Sequence, residues 1–152
     1  MLIAGAALIS LCRLLAQGQE LSEPAELADR AAVDVAYCMS SAYKLGLAVS
    51  ARALGGSKEE FDSALRVYER DARRSFADAL DDLADADAPR EENELAEAQE
   101  EYFSLLTSVR DWDGRPQTAP RLVEVSRQLG ERLQAICTEL SLSNEERLAG
   151  AR

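Results

Sequence analysis

Small and apolar residues recur every three or four positions in four separate stretches of this 152-residue chain. That spacing belongs to one face of a helix, and no stretch shows the alternation of a half-buried strand. The first stretch carries Leu27, Ala31, Val35, Cys38, Ala42, Leu45, Val49 and Arg52, opening at Ser22-Glu23-Pro24 and stopping at Gly55-Gly56. The second starts at Ser57, with Glu60 three residues on as a capping box, and carries Phe61, Leu65, Tyr68, Ala72, Phe76, Leu80 and Leu83. Asp87-Ala88-Pro89 breaks it and starts a third, whose acidic first turn, Glu91 and Glu92, suits the helix dipole. The third carries Leu95, Ala98, Tyr102, Leu105, Val109 and Trp112, and ends at Asp113-Gly114-Arg115-Pro116. The fourth begins near Thr118-Ala119-Pro120 and shows Leu122, Val125, Leu129, Leu133, Ile136 and Leu140. Ser143-Asn144-Glu145-Glu146 either caps a short fifth helix or continues the fourth. Connections of a few residues force antiparallel neighbours. The expected fold is all-α, an up-down-up-down antiparallel four-helix bundle over residues 21–152.

Residues 1–20 stand apart. Met1 to Cys12 is an apolar run cut by Arg13, too short to span a bilayer and of the length of a signal-peptide core. Ala16-Gln17-Gly18 supplies the small-x-small pattern of a cleavage site, while a basic leading segment is missing. Residues 1–20 are therefore expected to be a signal peptide or an N-terminal anchor. The bundle is then periplasmic or otherwise exported, the alternatives being a cytoplasmic or a membrane-anchored protein.

Composition narrows the chemistry. The chain has no histidine, which removes the usual general base, the usual zinc or haem ligand and the nucleophile–histidine pairs. Its net charge of −11, with Lys44 and Lys58 the only lysines, argues against a nucleic-acid surface. Di-iron bundles use Glu-x-x-His, and the acidic run from Asp78 to Glu101 lacks a calcium-binding loop with its glycine, so no metal and no cofactor is expected. Ser40, Ser41 and Lys44 form a small polar patch without the supporting residues of a Ser-Lys nucleophile. Tyr102, Phe103 and Trp112 fall at helical spacing and read as core and rim packing. The expectation is a non-enzymatic protein.

Cys38 and Cys137 invite a disulfide. Counted from the shared end of helices one and four, they lie about 16 and 17 residues down, roughly 25 Å at the helical rise. Loss of Cys12 with a cleaved signal would leave this pair in an oxidising compartment. The alternative is two unlinked core thiols.

The run Ala36-Tyr37-Cys38-Met39-Ser40, the Leu54-Gly55-Gly56 break, and Glu60-Phe61-Asp62-x-x-Leu65 together resemble the N-terminal periplasmic module of type IV pili chemoreceptors (PilJ-type). That module is akin to the sensor domain of nitrate-sensing histidine kinases. The resemblance covers the layout of residues 24–142 and implies a sensor-like bundle binding a small anion or a protein partner. The family's ligand box is replaced here by Leu27-Ala28-Asp29-Arg30-Ala31-Ala32-Val33, in which Arg30 is the one arginine. The resemblance implies that Arg30 holds a planar oxyanion in a dimer. Read from the residues alone, Arg30 sits on a solvated face beside Asp29 and Asp34. The other functional reading is a structural or scaffold subunit whose helix faces bind a protein partner or a second copy, with the membrane involved only through residues 1–20.

Overall fold

Each break in the apolar pattern became a helix end, with hydrogen bonding to match. The computed structural model describes the backbone of residues 2–150 and the side chains of residues 26–146 and 149–150. Four helices follow in order: α1 (Leu2–Ala53), α2 (Lys58–Asp85), α3 (Pro89–Arg110) and α4 (Ala119–Gly150), with no strand among the described residues. α1 closes in a Schellman motif. Gly56 N–H donates to Ala51 O at 3.0 Å and Gly55 N–H to Arg52 O at 3.1 Å. This requires a left-handed residue after the cap, and Gly55 supplies it at φ 104°. α2 ends in the same way with Asp87 as the left-handed residue, φ 53°, a conformation aspartate tolerates better than most. Ser57 caps α2, its hydroxyl accepting from Glu60 N–H at 3.1 Å.

The helices form the antiparallel four-helix bundle expected from the stripes. α1 packs most extensively on α4 and α2, α3 makes lighter contact with α2 and α4, and α1 and α3 lie diagonally opposed. The stripes meet in a single core, with Val35, Cys38, Leu45, Phe76, Leu83, Leu95, Tyr102 and Leu133 fully enclosed. Among the described residues no helix is long and apolar enough to cross a membrane.

One expected helix start changes, and one open alternative is decided. α1 does not open at Ser22-Glu23-Pro24 but runs through it from Leu2. A proline inside a helix removes one N–H, that facing the carbonyl four residues back, and the helix-forming Leu, Gln, Glu and Ala around Pro24 carry the winding past it. The expected signal or anchor, residues 1–20, lies outside the residues whose side chains are described. Ser143–Glu146 continues α4 and caps no fifth helix. On α4, Val125 is 41% exposed and its neighbour Ser126 takes the core position.

Ser126 explains why. Its hydroxyl donates to Ala42 O and accepts from Gly46 N–H at 3.1 Å, reaching both members of one helical i, i+4 pair on α1. Only small residues allow such an approach. A Cβ on Gly46 would lie 2.7 Å from Ser126 Oγ, and one on Gly130 2.5 Å from the Tyr43 ring. A valine in place of Ser126 would hold the helices apart and strand no polar group, but would lose this register tie. We expect Gly46→Ala to destabilise by about 1–3 kcal/mol despite alanine's better helix propensity. In a Ser126→Ala background the penalty should fall by about 1 kcal/mol, since the obstructing oxygen is gone. Additive denaturation free energies across that four-member cycle would contradict the close seam.

Candidate functional site

The residues singled out from the sequence do not converge on one site. Cys38 is fully buried and Cys137 half-buried, and both are free thiols. The expected disulfide between them is thus not formed, for a reason of register. Cys137 Sγ meets α1 at the Ala32 carbonyl, 3.4 Å away and more than one turn before Cys38. With Ser126 against Ala42 and Asn144 Nδ2 donating to Asp29 at 2.8 Å, the level of Cys38 falls near residue 133 of α4. Equal depth counted from the helix ends overlooked the stagger between α1 and α4. Burial is the main cause holding the Cys38 thiol far above its usual pKa, with the Asp34 charge adding to it, so it is an unreactive core group.

Arg30 stands exposed on α1 and pairs with no carboxylate among the described residues. It lines neither of the clefts described below. Ser40, Ser41 and Lys44 are separated by their surroundings. Ser41 is buried, while Lys44 is exposed with its ammonium 5.9 Å from the Tyr68 ring centre, so no Ser–Lys pair forms. No group of three or more potential metal ligands occurs among the described residues.

One carboxylate pair was not anticipated. Asp34 of α1 and Asp82 of α2 bring their carboxyl groups together, so that Asp82 acts on Asp34 as a hydrogen-bonding neighbour and as a like charge. Burial first, then that hydrogen bonding and the charges of Asp82 and Asp78, push Asp34 up to about 6, with Arg74 pulling the other way. The sequence showed Asp34 only as one more acidic residue, because its partner lies 48 positions away on another helix.

Two clefts and one exposed face stand out among the described residues. The larger is a groove of about 1100 Å³ between α3 and α4, where α3 stands off from its neighbour. Its floor is Leu105, Leu122, Val125 and Leu129, closed at the turn end by Trp112. Trp112 is fixed by Nε1 donating to Thr118 Oγ1 at 2.8 Å and by an edge-on contact with Phe61 at 6.0 Å. Its lips are charged. Arg132 of α4 reaches across to Glu101 and to Glu97, the latter at 2.7 Å, so each of these carboxylates has an ionic partner. Glu100 and Asp111 on the α3 lip and Arg121 on the α4 lip have no ionic partner among the described residues. A smaller cleft of about 330 Å³ lies between α1 and α2 beside Leu47, Phe61 and Tyr68.

The exposed face is the outer one of α1. Val33, Tyr37 and Leu47, with Leu54 just past the helix, are exposed by 55%, 61%, 68% and 90%. Together with Ser40, Lys44 and Ala51 they follow a strict alternation of four and three residues, the a/d spacing of a second apolar seam. The core stripe of α1 was found by its period. The same period on the opposite face was masked by the serine and lysine within it.

No family model, curated protein or solved structure matches this chain, so nothing in these comparisons identifies the receptor module whose layout it resembles.

The Asp34 pair has a pH signature. Its folded pKa lies above the unfolded value near 4, so its favourable contribution is complete below about pH 4 and is lost as pH rises through 6. Asp34→Asn should therefore raise Tm relative to the parent at about pH 7.5 and give little gain at about pH 4. An equal Tm difference at both values would show that the carboxyl pair does not form.

Proposed function

We propose that this chain is a non-enzymatic scaffold, exported through the apolar run of residues 1–20, that assembles with a second copy of itself through the outer face of α1. The stripe Val33, Tyr37, Leu47 and Leu54 is the observation that carries the reading: large apolar side chains at coiled-coil spacing, left in water together on one face of α1. Charge supports it. Between Glu26 and Leu54 three acids (Glu26, Asp29, Asp34) are balanced by three bases (Arg30, Lys44, Arg52), so the whole of the −11 sits elsewhere. A strongly acidic chain can approach its own copy where it is locally neutral, and nowhere else as easily.

Antiparallel order fits the stripe. Centred on Ser40, it sets Val33 against Leu47 of the partner subunit and Tyr37 against Lys44 of the partner subunit, placing a cation on an aromatic ring. Parallel order in register would stack lysine on lysine. The anion-sensor reading has less behind it, since Arg30 is a single exposed guanidinium with no enclosing cleft.

Sedimentation equilibrium should find a dimer at micromolar concentration, and Leu47→Glu should make it a monomer while keeping the helical circular dichroism. Val67→Glu, an equally crude change at an exposed apolar position on α2, should leave the dimer intact. A parent protein that stays monomeric at high micromolar concentration contradicts the reading.

A further inference from the structure

The α3–α4 groove is on the far side of the bundle from the proposed dimer face, because α3 lies diagonally opposite α1. Its volume of about 1100 Å³ is open along its length rather than enclosed, which suits a polypeptide better than a small molecule. From Glu100 to Asp111 the α3 lip runs about 17 Å, three turns of helix. The walls are two helices, whose ridges accept the side-chain rows of another helix, and no unpaired strand edge is present among the described residues to add an extended peptide. The floor is apolar. The lip charges without partners, Glu100 and Asp111 against Arg121, sum to an acidic groove within the acidic part of the molecule.

We propose that this groove binds a basic amphipathic helix of another protein, its apolar stripe on Leu122, Val125 and Leu129 and its lysines or arginines along the α3 lip at Glu100 and Asp111. The partner is thus a fifth helix, completing the seam that α3 and α4 leave open. This extends the scaffold reading by naming what is held, but does not depend on the dimer, since each bundle carries a whole groove. Electrostatic attraction adds to the rate and selectivity of docking, and the buried stripe supplies most of the affinity.

The sole tryptophan, Trp112, borders the groove and reports its occupancy. The probe is a synthetic helix of about 14 residues, leucine at positions i, i+3, i+4 and i+7 and lysine on both flanks. It should shift Trp112 emission at micromolar concentration, more weakly as salt rises. Val125→Arg should weaken it at least about tenfold. Glu100→Lys combined with Asp111→Lys should reverse the preference towards the same peptide with glutamate in place of lysine. All three positions are exposed, so the fold is not at stake. The monomeric Leu47→Glu variant should bind as the parent does, which separates failure of the groove from failure of the dimer. Equal binding of the lysine, glutamate and scrambled peptides, or affinity unmoved by Val125→Arg, overturns the proposal. So does an unchanged emission spectrum at millimolar lysine peptide.

Discussion

The bundle depends on one close approach, the Ser126 hydroxyl lodged against the Ala42 carbonyl and Gly46 amide of α1. Gly46 and Gly130 make room for it, and Asn144 to Asp29 repeats the tie further along the same pair of helices. A polar group in that position has one register in which it is satisfied, so the α1–α4 stagger follows from it. The stagger in turn carries Cys137 Sγ to the Ala32 carbonyl, away from the level of Cys38.

α3 is held by different forces. Tyr102 is fully buried against Phe76 and Phe103, with its hydroxyl 3.4 Å from Tyr68 O, and Arg73 lies 4.8 Å over the Phe103 ring. Surface ion pairs do the rest: Arg110 to Glu69 at 2.6 Å on the α2 side, Arg132 to Glu97 and Glu101 on the α4 side. Exposed pairs of this kind contribute about 0–1 kcal/mol each. A helix fastened by a few rings and by surface charges on both flanks packs lightly on each neighbour, and the space left on its α4 side is the groove. Tight α1–α4 packing and the open α3–α4 seam are two sides of one arrangement.

Much of this was legible from the residues. The 3.5-residue spacing identified four helices and most of the core, and the glycine pair, Asp87 and Pro89 marked real ends. Failures came where the period alone could not rank candidates. Val125 and Ser126 are adjacent, and apolar character favoured the valine. The structure favours the serine because α1 comes too close for anything larger. Pro24 looked like a start, though a single missing donor need not end a helix. The Asp34–Asp82 pair and the groove both arise between helices and leave no local mark on the chain.

Native-state hydrogen exchange tests the central claim most directly. If the α1–α4 seam is the frame on which α3 is hung, the amides around Ala42–Gly46 and Ser126–Gly130 exchange only through global unfolding. Those of α3 then open at lower free energy, in a separate step. Protection of α3 equal to that of α1 and α4, or earlier opening of α4 from α1, would contradict the account.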